Sequence, residues 1–185
     1  MENILLTIIF QPLHTKKQMK LYTSIIFTIL ACLQINQNKG GVVIKETTIT
    51  GKVVSITDGD TFKLLTKDST LIVVRLANID CPEKKQPFSK RAKQFVSDAI
   101  FGKLVTLHVQ KKDRYRRSIA TVIYNDTLNL NQELVKRGLA WHYVKYSKDE
   151  ILQSLENEAR ANKVGLWIDP NSIPPWEWRS NKTKN

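Results

Sequence analysis

The chain has 185 residues, which suffices for one well-packed domain with appendages and is too short for two ordinary domains. Its 29 Lys and Arg against 17 Asp and Glu give a formal charge of +12, which favours polyanionic partners such as nucleic acid or an anionic membrane surface. With only Cys32 and Cys81, the chain has neither a disulfide framework nor a cysteine-built zinc site, and its three scattered histidines argue against a histidine-built metal centre.

The first part of the chain has the pattern of an export signal. Three lysines precede an apolar run from Leu21 to Ala31, which is too short to span a bilayer comfortably. We therefore predict a signal peptide over residues 1–32 and a flexible tether over residues 33–44, in a protein that is secreted, periplasmic or lipid-anchored at a bacterial cell envelope. An uncleaved membrane-anchoring helix is the alternative for this segment.

The end of the apolar run indicates how the signal is processed. Residues 29–32 resemble the lipobox of bacterial lipoproteins, in which Cys32 becomes the lipidated first residue of the mature chain. Leu30 stands where a small residue is commoner, so ordinary signal cleavage nearby stays open. Met19 is an alternative to Met1 as the true start of translation.

A globular domain is predicted over residues 45–168, and it begins with strands. Residues 47–66 are rich in β-branched side chains, and Asp58-Gly59 interrupts them in the way that is typical of a short hairpin. Leu71–Leu76, apolar except for one arginine, predicts a third strand. We therefore expect two paired strands and a third strand at the start of the domain.

A helix and two further strands are predicted next. Apolar residues between Phe88 and Ile100 recur at helical spacing, and Gly102 supplies a C-terminal stop. Residues 104–109 and 118–124 have strand patterns, separated by a charged stretch that predicts a solvated turn over 111–117. Five short strands with a helix after the third are compatible with a small barrel whose open face takes an oligonucleotide.

More helix and an extended tail complete the pattern. Asn129 with Gln132 caps a short helix, and Ser147 with Glu150 forms a capping box before another. The tail over residues 169–185 is rich in proline and tryptophan and is predicted to be extended.

Candidate chemistry begins with carboxylates at the ends of neighbouring strands. Asp60 and Asp80 can supply the oxygen ligands that a hard cation such as Ca²⁺ prefers. Glu83 follows a proline that stiffens its loop, where it can hold a water molecule. The alternative for Asp58-Gly59-Asp60 is a hairpin turn without chemistry, which leaves Glu83 unexplained.

Two arginines complete the candidate site. Arg75 stands in an apolar strand, where an unpaired guanidinium is costly, so it needs an anion. That anion is either Asp80 or Glu83 in a permanent ion pair, or a substrate phosphate that enters a pocket. Arg117, in the charged run 113–117, offers a second guanidinium suited to phosphate, although such a run is ordinarily a solvated turn.

Together these motifs, in this order, resemble the staphylococcal nuclease (thermonuclease) family over residues 47–167, and the chain's ending resembles the tail of its secreted bacterial relatives. The resemblance implies an α+β fold, a five-stranded OB-fold barrel with about three α-helices. It also implies a monomeric, calcium-dependent endonuclease that cuts DNA and RNA and leaves 3′-phosphate ends. Because contacts to phosphate and sugar carry no sequence information, we expect little sequence specificity. Single-stranded or breathing regions should be the better substrates, because their stacking faces are accessible. A non-catalytic OB-fold module that binds nucleic acid is the alternative, and such modules tend to lose the site residues.

The resemblance also assigns the metal site. Asp60 and Asp80 correspond to the calcium carboxylates, and Cys81 contributes its backbone carbonyl. Cys81 stands where the archetype has threonine. Because the ligand is a carbonyl, we expect this change to be tolerated.

Catalytic roles fall, by the same resemblance, on three residues: Arg75, Glu83 and Arg117. Glu83 corresponds to the general base, and the arginines to the phosphate-binding pair. Arg116 replaces the family's usual glycine, which either alters the turn that aims Arg117 or adds a phosphate contact.

Three tyrosines are predicted to contact the nucleotide. Tyr115 resembles the family's tyrosine beside the nucleotide, and Tyr143 or Tyr146 is expected to stack on a base.

Overall fold

The structure is a computed structural model that describes residues 47–182 of the chain. This part of the chain begins with a β-hairpin. Strand β1 (Thr47–Ile56) pairs antiparallel with β2 (Thr61–Thr66), and β2 pairs antiparallel with β3 (Leu71–Leu76). The hairpin predicted at Asp58-Gly59 and the third strand are therefore confirmed. The predicted signal peptide, tether and lipidated Cys32, and the choice between Met1 and Met19, lie outside the described residues.

Two further strands close the sheet into a barrel. Strand β5 (Leu104–Lys112) pairs antiparallel with β1 and with β6 (Ser118–Tyr124), and β6 pairs in parallel with β3. Alternate residues of β6 are buried, the period expected of a strand with one face toward a core. The predicted five-stranded OB-type barrel is thus confirmed, although β5 runs three residues further than expected, so the charged turn is shorter.

Within residues 47–182, three two-residue strand segments lie outside the five barrel strands. Strand β4 (Ile79–Asp80) pairs antiparallel with β8 (Trp141–His142), and β7 (Leu128–Asn129) extends the sheet beyond β6. The β4–β8 pair places the chain after β3 against the chain after the second helix. This pairing brings distant parts of the sequence to one rim of the barrel.

The first two helices agree with the sequence patterns. Helix α1 (Ser89–Ile100) buries the apolar side predicted for it, and Gly102 follows with a φ of +74°, in the left-handed region that glycine favours. Helix α2 (Leu130–Lys136) begins at Asn129, whose side chain accepts a hydrogen bond from the backbone N–H of Gln132, as predicted.

Helix α3 (Glu150–Ala161) corrects the predicted capping box. Its N-cap is Asp149, whose Oδ1 accepts hydrogen bonds from the N–H groups of Ile151 and Leu152, at 3.0 and 3.1 Å. Ser147 instead accepts a hydrogen bond from the N–H of Asp149 and contacts the ring of His142. The carboxylate one residue before the helix is the stronger acceptor for exposed N–H groups, so it displaces the serine from the cap.

The prediction of an extended tail is wrong for its second half. A 3₁₀ turn (Gly165–Ile168) precedes it, and helix α4 covers Pro175–Lys182, which gives four α-helices among the described residues instead of about three. Proline is accepted at the first position of a helix because its missing N–H has no intrahelical partner there. Among residues 47–182, no helix is long and apolar enough to cross a membrane.

Candidate active site

Two buried carboxylates and one guanidinium form the centre of the site. Asp60 lies directly before β2, Arg75 lies near the end of β3 and Asp80 ends β4. Arg75 pairs through Nη1 with Oδ2 of Asp60 at 2.8 Å and through Nη2 with Oδ1 of Asp80 at 2.7 Å. Asp60 is 7% exposed and Asp80 is 1% exposed. Of the two alternatives for Arg75, the ion pair with Asp80 is therefore present, joined by a pair with Asp60 that the sequence did not predict.

The turn that carries Asp60 is locked to the chain beyond β4. Asp58 Oδ1 accepts a hydrogen bond from the N–H of Asp60 at 3.1 Å, and Asp60 Oδ2 accepts one from the N–H of Cys81 at 2.8 Å. Between them, Gly59 has no room for a side chain, because a Cβ would lie 2.9 Å from the Cβ of Cys81. The Asp58-Gly59-Asp60 sequence is thus both a hairpin turn and part of the acidic cluster.

Glu83 is held by an arginine that the sequence analysis missed. Arg179, on helix α4, places Nη1 2.6 Å from Oε1 of Glu83 and Nη2 2.8 Å from Oδ2 of Asp80. The only sequence signal was a basic residue closing a tail rich in tryptophan, which does not indicate a partner. Asp80 therefore forms ion pairs with two guanidinium groups, those of Arg75 and Arg179. Glu83 is connected to the cluster by its ion pair with Arg179.

A buried glutamine supports the loop that carries Glu83. The Oε1 of Gln86 accepts a hydrogen bond from the N–H of Glu83 at 2.7 Å, and its Nε2 donates to the carbonyl of Ile173 at 2.9 Å. One side chain therefore ties the Glu83 loop to the segment that leads into α4.

The electrostatics of the cluster follow from crowding carboxylates in a buried place. Burial, and then the charge of Asp60, raises the pKa of Asp58 from 3.8 to about 6. Burial also raises the pKa of Asp80, although Arg179 and Arg75 act in the opposite direction. Burial raises the pKa of the Cys81 thiol well above its usual value, so that side chain is an uncharged thiol.

The acidic cluster has the net charge and the ligand types that suit a divalent cation, but its carboxylates are not grouped as a metal site. Counting ionised groups, four carboxylates (Asp58, Asp60, Asp80 and Glu83) face two guanidinium groups (Arg75 and Arg179), which leaves a net charge of −2. Carboxylate and carbonyl oxygens are the ligands that Ca²⁺ prefers. Within residues 47–182, however, no three His, Cys, Asp or Glu side chains are grouped so that they could hold a metal ion. A cation there would depend on backbone carbonyls and water as well as carboxylates.

Arg117 lies in the turn before β6 at the same end of the strands. Ser118, the next residue, pairs in register with Val74, the neighbour of Arg75. The Nε of Arg117 lies 2.7 Å from Oδ2 of Asp113. Its guanidinium carbon lies 5.5 Å from the ring centroid of Tyr115, which is exposed. Within residues 47–182, the side-chain contacts of Arg117 are with Asp113 and Tyr115 and do not reach the acidic cluster, so the strand register alone places Arg117 near Arg75.

Arg116, where the family's usual residue is glycine, has a left-handed backbone conformation. Its φ is +65°, a region that glycine adopts more readily than a residue with a side chain. Holding a residue with a Cβ in that region costs roughly 1–2 kcal/mol.

Tyr143 and Tyr146 belong to an aromatic cluster that follows β8, the strand that pairs with the strand of Asp80. The ring of Tyr143 stacks on Trp176 of α4, with centroids 4.9 Å apart and planes 3° apart, and meets Tyr146 edge-on at 4.8 Å. The N–H of Tyr143 donates to the carbonyl of Asn78 just before β4. One face of Tyr143 is thus already covered by Trp176, whereas Tyr146 is exposed; base stacking by either tyrosine stays a prediction.

The fold and the cluster define a small OB-type barrel with carboxylates and arginines gathered at one rim. The family model described as staphylococcal nuclease homologue matches residues 73–169. An uncharacterized endonuclease of Haemophilus influenzae is 42% identical over 161 residues, covering 87% of this chain and 84% of the relative. A micrococcal nuclease of Shigella flexneri is 40% identical over 139 residues, covering 70% and 79%. The chain belongs to the staphylococcal nuclease homologue family.

Proposed function

We propose that the protein is a calcium-dependent endonuclease that hydrolyses phosphodiester bonds of DNA and RNA with little sequence specificity and leaves 3′-phosphate ends. The observation that carries the proposal is the convergence of Asp60, Arg75, Asp80 and Glu83 at one rim of the barrel. Two relatives whose names include nuclease or endonuclease support the same reaction class.

The acidic residues would divide the work between binding and proton transfer. Asp60, Asp80 and the carbonyl of Cys81 would hold the cation, and bound Ca²⁺ supplies charge neutralisation of the phosphodiester. Glu83, the most exposed carboxylate that contacts an arginine at this rim, accepts the proton of the attacking water or orients that water. No covalent enzyme intermediate is required.

The arginines would stabilise charge that accumulates on phosphorus. Arg117 has a partly exposed guanidinium beside Tyr115, so it can turn toward a phosphate on the surface. Arg75 is occupied by Asp60 and Asp80, and its contribution is to hold the acidic centre and to share its positive charge with the phosphate. Contacts to phosphate and sugar carry no sequence information, which is why slight sequence preference is expected.

We further propose that unpaired or breathing strands are the better substrates, because their bases can reach exposed aromatic rings such as those of Tyr115 and Tyr146. The proposal includes export through a signal in residues 1–32, with lipidation of Cys32 as one form of anchoring, and a monomeric enzyme.

The test uses purified full-length protein with denatured DNA and with RNA, in calcium and then in EGTA. Glu83→Gln is compared with Glu133→Gln, which removes a carboxylate from a surface ion pair with Arg137 on the remote helix α2. We expect cleavage that needs calcium, survives in Glu133→Gln and falls by about 10²-fold or more in Glu83→Gln. End-group analysis of the products then reports whether the phosphate stays on the 3′ side.

Binding without cleavage would instead support the non-catalytic nucleic-acid-binding module. Cleavage that ignores both calcium and Glu83 would place the chemistry elsewhere.

A further inference from the structure

The last helix of the described chain reaches directly into the acidic cluster. Arg179 on α4 contacts Asp80, 99 residues earlier in the sequence, and Glu83, 96 residues earlier. Its Nη1 lies 2.6 Å from Oε1 of Glu83 and 3.4 Å from Oδ1 of Asp80, and its Nη2 lies 2.8 Å from Oδ2 of Asp80. A single guanidinium therefore fixes the distance between a carboxylate expected to bind the cation and the carboxylate expected to handle the proton.

Such a bridge answers a physical problem of the site. Asp80 sits on a strand and is buried, whereas Glu83 lies in the irregular segment between β4 and α1 and its side chain is 39% exposed. Two nearby carboxylates repel each other, so without a positive charge between them the more exposed side chain is expected to turn toward solvent. The planar fork of arginine donates to both at once, which a point charge cannot do with the same geometry.

Two contacts fix the position of helix α4, which carries Arg179. Trp176 stacks on Tyr143, which follows β8, the strand that pairs with Asp80. The carbonyl of Ile173 accepts a hydrogen bond from the buried side chain of Gln86, three residues after Glu83. Contacts before Arg179 therefore hold α4 in the place from which the guanidinium reaches the two carboxylates.

We propose that Arg179 is a positioning residue for the nuclease reaction: it uses the buried Asp80 as an anchor to hold Glu83 in place, so the segment from Ile173 to Arg179 completes the active site. The inference rests on the proposed function and deepens it. Two other roles have different consequences. An arginine that contacts substrate phosphate would control affinity for DNA, and an arginine that merely blocks the site would restrain the reaction.

Steady-state kinetics on denatured DNA in calcium distinguish these roles. Arg179→Gln keeps length and polarity but removes the charge and the fork, and Arg179→Lys keeps the charge alone. The control is Arg137→Gln, which removes an arginine from a surface ion pair with Glu133. We expect Arg179→Gln to lower kcat about tenfold or more with KM within about twofold of wild type, Arg179→Lys to recover part of that loss, and Arg137→Gln to match wild type.

A double-mutant comparison tests whether Arg179 acts through Glu83. In the Glu83→Gln background, the further change Arg179→Gln should reduce kcat by less than about twofold, because the group being positioned is already gone. A full additional tenfold loss would mean that Arg179 acts independently of Glu83, and it would overturn the inference.

Hydrogen exchange without calcium supplies a readout that does not depend on turnover. Peptides that cover residues 81–88 should exchange faster in Arg179→Gln than in wild type, whereas the strands of the barrel should be unchanged. Equal exchange in the two proteins would contradict a positioning role, and faster exchange throughout the barrel would mean that the variant is globally destabilised and the inference fails.

The remaining outcomes separate the inference from the proposed function. If wild type cuts and Arg179→Gln cuts equally well, cuts faster, or loses affinity through KM alone, the positioning role is refuted and the nuclease stands. If wild type itself does not cut, the proposed function is refuted and the positioning role falls with it.

Discussion

Replacing Arg75 or Arg117 should abolish most of the nuclease activity, but only the replacement of Arg75 should destabilise the fold. The side chain of Arg75 is 14% exposed and pairs with Asp60 and Asp80, which are both buried. The side chain of Arg117 is 31% exposed and pairs with Asp113, a residue of the surface turn before β6. The matched variants Arg75→Gln and Arg117→Gln thus remove the same group from two different environments.

The expected magnitudes follow from burial. Breaking a buried ion pair costs about 3–5 kcal/mol because a charge is left without compensation. Arg179 still neutralises Asp80, and Asp60 keeps its hydrogen bond from the N–H of Cys81. The lower end of that range therefore applies, and Arg75→Gln should lose about 3 kcal/mol of unfolding free energy and about 10 °C in Tm. Arg117→Gln should lose less than about 1 kcal/mol, as is typical of surface pairs.

Urea unfolding followed by the fluorescence of the chain's four tryptophans measures both changes. The same preparations are assayed on denatured DNA at a temperature where both variants are folded, and each should fall by about 10²-fold or more. Equal stability losses in the two variants, or a loss in Arg75→Gln below about 1 kcal/mol, would refute the account of Arg75 as the buried counter-charge.

Three further predictions concern pH, backbone and salt. Burial and the charge of Asp60 raise the pKa of Asp58 from 3.8 to about 6, so the unfolding free energy of wild type falls as the pH rises between those values. Measured by urea unfolding, the stability of Asp58→Asn relative to wild type should therefore increase from about pH 4 to about pH 7. A stability difference that does not change with pH would contradict this. Gly138→Ala places a Cβ 2.1 Å from the carbonyl oxygen of Val164 at a φ of +59°, so it should lower the unfolding free energy by at least about 2 kcal/mol. Gly102→Ala places its Cβ where no atom lies within 4 Å, so it should lower the unfolding free energy by about 1 kcal/mol. Equal shifts in Tm for the two variants would be inconsistent with the clash. Nuclease activity should fall with added NaCl at fixed calcium, with a linear dependence of log kcat/KM on log salt, and a flat profile would argue against phosphate-dominated binding.

Much of the barrel was predictable because its signals are local. The Asp58-Gly59 hairpin, the helical spacing before Gly102 and the Asn129 cap each depend on a few neighbouring residues, and each is present in the structure. Arg75 was equally informative, since a guanidinium in an apolar strand requires an anion. The sequence left that anion open between Asp80, Glu83 and a substrate phosphate, and it could not foresee that Asp60 and Asp80 both pair with the guanidinium of Arg75.

Tertiary structure decided what depends on contacts between distant segments. Three features have no signature in the neighbouring sequence. They are the helix over Pro175–Lys182, the stacking of Trp176 on Tyr143, and the ion pairs of Arg179 with Asp80 and Glu83. The sequence alone therefore predicted the barrel and most of the candidate site residues. Which charges face one another was determined by the tertiary structure, in which β4 pairs with β8 and α4 packs beside them. The ion pair between Arg179 and Asp80 joins residues 99 positions apart, so it depends on packing and not on local sequence spacing.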